Sequence, residues 1–313
     1  MAIPNDTTRR DFLISLVGAG AVLATRLPAL GNTLSAQTTL PTRPIPGTGE
    51  TLPIVGFGSS KPVLEIPTEG TEPVAAVIRM LLEHGGRVVD TSPRTPEIDE
   101  EFGQVLAAPE FSGRLFVATK INTDGEASGI EQMRQNQELV VGSRTLDLLQ
   151  VESMRDLDVH WPNVLRWKDS GEARYIGVTT SSIGQHEAFE AFMRAEPLDF
   201  VQINYSVMEP NAEERLLPLA RDLGLAVLIN RPFMNGSYFG RVSGRDLPEW
   251  AAEFDCASWA QFSLKYILEH PAVTCALTET TNPEHMEDNI QAAFGRLPDE
   301  ATKRRMRELV QDF

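Results

Sequence analysis

Short apolar runs recur along this chain from residue 53 onward, separated by helical stretches, and that alternation argues for parallel strands covered by helices. The runs predict strands at Ile54–Phe57, Arg87–Asp90, Leu115–Thr119, Leu146–Val151, Tyr175–Val178, Phe200–Ile203, Ala226–Ile229 and Thr274–Leu277. Helices are expected near 73–84, 97–107, 129–141, 163–170, 184–194, 212–223, 257–269 and 283–294, several with Gly or Pro just outside their ends. Eight β/α units close a (β/α)8 barrel, an α/β fold of the TIM type. A doubly wound open sheet is the competing arrangement, but no Gly-x-Gly-x-x-Gly fingerprint follows the first strand.

Ahead of these units the pattern changes. Residues 8–13 read Thr-Arg-Arg-Asp-Phe-Leu, and the apolar stretch Ile14–Leu23 that follows is too short to span a bilayer comfortably. Leu13 to Ala24 is apolar all round and runs into an uncapped Pro, Gly and Ser stretch, which argues against an amphipathic first helix. The segment reads as a twin-arginine export signal over residues 1–36. Small residues near Ser35 and Ala36 suggest a cleavage point, with Leu34 a poor fit at the minus-three position; uncleaved, the segment would remain as an anchor. Cleaved, it leaves no stable membrane span. The expected partners are the twin-arginine export machinery, which carries folded proteins, and a small-molecule substrate; the expected location is the periplasm or another exported compartment.

Composition narrows the classes. At 42% hydrophobic and 23% charged residues, the chain has enough apolar material for a core and is not a disordered sequence. Its formal net charge of −16, with no window of Lys and Arg interleaved with aromatics, lacks the electrostatic footprint of a nucleic-acid or anionic-membrane binder. Cys256 and Cys275 lie in apolar runs without metal-ligand spacing and read as two buried thiols; no metal site is expected. Export needs no disulfide from a chain that folds beforehand.

Strand C-termini point side chains into the active site of such barrels, so the polar residues there are the candidates. They are Asp90, Lys120, Glu152, Thr179 with Thr180, Asn204, and Asn230 with Arg231. Asp90, Lys120 and Glu152 come from three consecutive strands and should converge in a buried polar cluster, although Asp90 and Lys120 alone also suit a structural ion pair. Trp259, Phe262 and Tyr266 have helical spacing and read as core packing. His160 and Trp161 fall in the loop expected after the fourth strand, either lining a pocket or lying on the surface. The basic run Lys303 to Arg307 reads as a solvated helix face.

In order along the chain, these motifs resemble those of the aldo-keto reductases. The matching stretches are Ile45 to Glu50 with Leu52 to Gly58, Asp90-Thr91-Ser92-Pro93 followed at the family's spacing by Gly103, Thr119-Lys120, Asp147 to Val151, Arg174 to Thr179, Gln202 to Tyr205, and Asn282 to Asn289. The resemblance implies a linker and N-terminal hairpin over 37–52, a single barrel of aldo-keto reductase type over 53–313, and hydride transfer between a nicotinamide and a carbonyl. In that chemistry a tyrosine supplies the proton, tuned by a lysine paired with an aspartate, and a histidine holds the carbonyl oxygen. Asp90 and Lys120 match the aspartate and lysine. Thr95 stands at the tyrosine position and Glu152 at the histidine position. An aliphatic hydroxyl is a far weaker acid than a phenol, so Thr95 can offer a hydrogen bond but is a poor proton donor. Glu152, if protonated, can donate to a carbonyl oxygen. A branch that reduces steroid carbon–carbon double bonds also has glutamate there, but it keeps its tyrosine.

The resemblance also implies an NAD(P)(H) site. Thr179, Thr180 and Gln202 match the carboxamide-binding positions, with Thr180 replacing an asparagine. Asn230 stands where many relatives stack an aromatic ring on the nicotinamide. Gly58 and Ser59 after the first strand, and Arg231, Pro232 and Phe233 after the seventh, complete the near side of the site. Glu279 and His285 occupy positions where NADPH-using relatives carry basic residues, while Thr280 and Asn289 are retained. A carboxylate repels a 2′-phosphate, so NAD(H) should compete well with NADP(H). Two functions follow: an exported oxidoreductase acting on a carbonyl or alcohol, or on an activated carbon–carbon double bond, with nucleotide loaded before export; or a binding protein or pseudoenzyme, motivated by the departures at Thr95, Glu152, Asn230 and Glu279.

Overall fold

The computed structural model describes residues 39–313; the expected twin-arginine signal and the suggested cleavage point lie outside the described residues. Eight strands form a closed barrel: β1 Val55–Gly58, β2 Val88–Asp90, β3 Phe116–Ile121, β4 Leu146–Val151, β5 Ala173–Thr179, β6 Phe200–Asn204, β7 Ala226–Asn230 and β8 Cys275–Thr278. Each pairs in parallel with the next, and β8 closes onto β1. The chain therefore forms the expected (β/α)8 TIM barrel.

The covering helices are α1 Glu72–Glu83, α2 Pro96–Ala107, α3 Glu126–Gln135, α4 Leu157–Ser170, α5 His186–Ala195, α6 Leu216–Leu223, α7 Trp259–Glu269, α8 Pro283–Gln291 and α9 Glu300–Gln311. Two differ from the sequence pattern in an informative way. The helix expected at 129–141 starts earlier, and its last turn, Asn136–Val140, widens to a π-type turn that packs on α2. There Gly103 is obligatory, because a Cβ at that position would stand 1.7 Å from the Leu139 carbonyl oxygen. The helix expected at 163–170 begins at Leu157, because Pro162 lies inside the helix instead of marking its start. His160 and Trp161 are thus buried helical residues: the His160 ring reaches the Thr123 carbonyl at 2.8 Å, and Trp161 donates to Glu196 at 2.9 Å.

Strand alternation divides the core in two. Outward residues such as Val89, Val117 and Leu149 pack against the helices, while Val88, Phe116, Ala118, Leu148, Phe200, Leu228 and Leu277 fill the barrel. Burying each large interior side chain contributes about 1.5–3 kcal/mol. An antiparallel hairpin, Thr42–Pro44 with Thr51–Pro53, covers the end where the strands begin, adding Ile45 and Leu52 to the interior cluster. Arg43 fastens it by donating to the carbonyls of Leu268, His270 and Val273. Trp259, Phe262 and Tyr266 pack in α7 as expected, and both cysteines are buried free thiols.

The basic run in α9 is a solvated face only in part: Arg304 and Arg305 are exposed, whereas Lys303 and Arg307 are not free cations. Lys303 is 1% exposed and bridges Glu213 at 3.0 Å and Glu269 at 2.9 Å, while Arg307 reaches Glu213 and the Tyr266 hydroxyl. The helix docks through these cations because Glu213 and Glu269 stand on the surface it covers; both carboxylates are far from Lys303 in sequence.

Candidate active site

The interior pattern that places Val88, Phe116, Leu148 and Phe200 inside the barrel also aims Asp90, Lys120, Gln150 and Gln202 inward, nearer the strand C-termini. They form a polar layer on the apolar one. Lys120 Nζ lies 2.7 Å from both Asp90 carboxylate oxygens and 2.7 Å from the Thr91 carbonyl, so all three ammonium hydrogens are taken. Gln202 donates to Asp90 at 3.2 Å and accepts from Gln150 at 2.9 Å. Gln150 completes the layer although nothing in the sequence reading marked it; its place one residue pair beyond Leu148 on β4 is the signal that finds it.

A cavity of about 490 Å³ opens above this layer, within the size range of small-molecule sites. Asp90, Lys120 and Glu152 meet at its wall, as do Gly58, Thr179, Gln202, Asn230, Arg231, Pro232, Phe233, Glu279 and Thr280. Ser92, Lys61 and Phe239 also line it and were not singled out from sequence. Phe239 lies 4.9 Å from Phe233, ring centre to ring centre, so the two rings give the cavity an aromatic wall next to Asn230.

Six expected site residues lie off the wall, among them Asn204, which is buried and donates to Glu209 at 2.9 Å. Thr95 is exposed and precedes α2, whose first residue is Pro96. The preceding residue holds it there: the Arg94 N–H donates to the buried Asp99 carboxylate at 3.0 Å, and its guanidinium reaches the carbonyls of Ser92 and Pro93 at 2.9 Å and Ser60 at 3.1 Å. This clasp turns the loop so that Ser92, not Thr95, faces the cavity. Burial raises the Asp99 carboxyl above its ordinary value, against the opposing pull of Arg94. Thr180 is fully buried and spends its hydroxyl on Gln185 at 2.7 Å, a link within the framework. Ser59 donates to the Asp90 carbonyl at 2.9 Å. His285 is exposed on α8 with Nδ1 3.5 Å from the Thr280 hydroxyl, and Asn289 is buried beneath that helix.

Within the wall, charge is unevenly matched. Asp90 pairs with Lys120, and Lys61 lies 3.7 Å from Glu65. Glu152 Oε2 and Asn230 Oδ1 are buried acceptors without a protein partner, and Arg231 Nε is a buried donor without one. Glu279 accepts the Lys61 N–H; partial desolvation at the cavity wall raises its pKa above the ordinary value, although the residue as a whole is exposed. Backbone strain gathers here too. Among the described residues, six of the eight non-glycine positions with positive φ follow β4 (Ser153, Met154, Asp156) or β7 (Arg231, Met234, Asn235). Such conformations cost about 1–3 kcal/mol each and persist where the surroundings hold them.

A sequence model of the aldo/keto reductase family matches residues 67–308. The chain belongs to the aldo/keto reductase family. Among curated aldo/keto reductases it is similar to the aldo-keto reductase YhdN of Bacillus subtilis (strain 168), 26% identical over 180 residues, which are 53% of this chain and 54% of that one. It is also similar to the NADH-specific methylglyoxal reductase of Escherichia coli (strain K12), 24% identical over 170 residues, 46% and 51% of the two chains. The chain thus spans about half the length of these curated relatives. Among solved structures, an aldo/keto reductase from Klebsiella pneumoniae in complex with NADP and acetate superposes with a TM-score of 0.68 at 17% identity, over 87% of this chain and 95% of that one. At that identity the likeness is one of fold.

Proposed function

We propose that this chain is an exported oxidoreductase of aldo/keto reductase type, acting with a nicotinamide nucleotide on a small molecule's carbonyl or alcohol, or on its activated carbon–carbon double bond. One observation carries the reading: the buried Asp90–Lys120 pair lies at the base of a cavity whose wall presents a Glu152 oxygen with no protein partner. The wall suits the nicotinamide half of a cofactor. Asn230 Oδ1 is a free acceptor for a carboxamide N–H, Phe233 and Phe239 offer the aromatic surface that Asn230 lacks, and Arg231 Nε is a free donor toward phosphate. Glu279 is a poor neighbour for a 2′-phosphate, which favours NAD(H).

When bound, the nicotinamide supplies or accepts hydride at its C4. The chain's own part is electrostatic and positional. Lys120, fixed by Asp90 and Thr91, sets a positive charge beneath the oxygen on which negative charge develops. The Glu152 carboxyl, whose Oε2 has no protein partner, is the group in the wall placed to hold that oxygen and to exchange the proton with it. Ser92, which lines the same cavity, offers a hydroxyl to orient that oxygen. Thr95, outside the cavity, has no part. The site thus works as a degenerate form of the family's four-residue arrangement, with Glu152 for the histidine and no tyrosine. Arg9 and Arg10 ahead of Ile14–Leu23 support export in the folded, cofactor-loaded state.

The test is protein purified natively from its exported form. Mass spectrometry and absorbance should find a nicotinamide nucleotide, or titration should show NADH binding, and Glu152→Gln should abolish the turnover of small carbonyls such as methylglyoxal. Absence of both bound and binding nucleotide would overturn the reading. It would favour a second one, a small-molecule binding barrel without turnover, to which the fully engaged Lys120 ammonium and the outward Thr95 also lend support.

A further inference from the structure

Ser153 follows Glu152 directly and adopts φ 52°, ψ 31°, a left-handed conformation that a serine does not hold by itself. Met154 follows at φ 56°. Both peptide groups of Ser153 are tied to the end of β5: its N–H donates to Thr179 Oγ1 at 2.9 Å, and its carbonyl accepts from Gln185 Nε2 at 2.9 Å. Gln185 is in turn fixed, because its Oε1 accepts the Thr180 hydroxyl at 2.7 Å and its own N–H reaches the Ser182 carbonyl at 3.0 Å. On the far side, the Thr180 carbonyl accepts from Asn230 at 3.0 Å and the Ser181 carbonyl from Arg231 at 2.6 Å. The β5 turn therefore bridges the two strained turns that carry Glu152 and Arg231.

We infer that Gln185 is a positioning residue: with Thr179 it clamps the left-handed Ser153 turn, and through that turn it fixes where the Glu152 carboxyl stands in the cavity wall. Gln185 does not line the cavity, so it acts on the site indirectly, through its bond to the Ser153 carbonyl and, by way of Thr180, through the turn that also meets Asn230. The buried Thr180 serves the same clamp, since its hydroxyl orients the Gln185 amide. It also explains how a serine, with no glycine's freedom at positive φ, keeps this turn in one conformation. The catalytic consequence rests on the role given to Glu152 above, whereas the clamp itself does not.

The test is a double-mutant cycle between Gln185→Ala and Ser153→Gly in the full-length exported protein. Glycine adopts the left-handed conformation without strain, so a turn with Gly at 153 needs no clamp. With Ser153 present, Q185A should speed amide hydrogen exchange across residues 152–156 about five- to tenfold. In the S153G background that acceleration should largely vanish. With NADH and methylglyoxal as probes, Q185A should lower kcat about tenfold with KM little changed, and S153G should restore most of it. Unchanged exchange in Q185A, or an equal increase in both backgrounds, would overturn the clamp. Coupled exchange together with turnover that neither Q185A nor E152Q alters would leave the clamp standing and overturn the role given to Glu152.

Discussion

Lys120 Nζ sits 2.7 Å from each carboxylate oxygen of Asp90, and each side chain is only 5% exposed. A pair this buried contributes less net stability than its geometry suggests, because both ions are taken out of water. Removing one partner is another matter, since the survivor is left as an uncompensated buried charge. Lys120→Met should therefore destabilise the fold by about 3–5 kcal/mol, and Asp90→Leu with Lys120→Met should recover most of that loss. Urea unfolding of the wild type and the two variants checks this; a double variant as unstable as the single would show that the pair itself, not the stranded charge, sets the stability.

Glu279 should govern the choice between the two nicotinamide nucleotides. A full charge about 4 Å from a phosphate in water-like surroundings amounts to about 1 kcal/mol, or roughly fivefold in affinity. Glu279→Gln keeps an acceptor for the Lys61 N–H and removes only the charge. It should improve NADPH binding about fivefold while leaving NADH nearly unchanged, and Glu279→Lys should go further. Fluorescence titration with both nucleotides at low salt decides it, and the gain should shrink as salt rises.

The loop after β2 assigns different roles to two hydroxyls. Ser92 is buried and faces the cavity, whereas Thr95 is exposed behind the Arg94–Asp99 clasp. Thr95→Ala should change nucleotide binding and turnover by less than about twofold and stability by about 0.5 kcal/mol or less. Ser92→Ala should lower kcat/KM about tenfold, the order expected for one lost hydrogen bond to a reacting oxygen. The reverse ranking would return Thr95 to the site.

Periodicity carried the barrel because each strand is short, apolar and bounded by turn residues, and the inward alternation that fills the interior also delivers Asp90 and Lys120 to its upper layer. Other features depend on partners distant in sequence. Lys303 reads as a surface cation until Glu213 and Glu269 are brought against it. Thr95 matches a motif position, but Arg94 and Asp99 decide where that position points. Thr180 retains the right chemistry for a ligand and spends it on Gln185, five residues on, across a turn whose shape no propensity specifies. Phe239 reaches the wall from a short helix, Ser237–Val242, that no periodic run announces.

His270 should make stability fall on the acid side of neutrality. Burial, aided by the Lys303 cation, lowers its pKa from 6.5 to about 4. The geometry agrees: the Ala272 N–H donates to His270 Nδ1 at 3.2 Å, so that nitrogen must be unprotonated, and the ring meets Tyr205 edge-on at 6.2 Å. Above pH 6.5 the residue is neutral in both the folded and unfolded chain, and its contribution is fully present. As pH falls from 6.5 toward 4, the unfolded chain takes up a proton that the folded one refuses, so stability is lost through that window and levels off below it. Because the ring is partly open to water, the loss should be about 1–2 kcal/mol, less than the full shift implies. His270→Asn preserves an acceptor for Ala272 and does not titrate. Its chemical-denaturation stability, subtracted from wild type between pH 7 and 4, should isolate this slope; a pH-independent difference would show that His270 is protonated alike in both states.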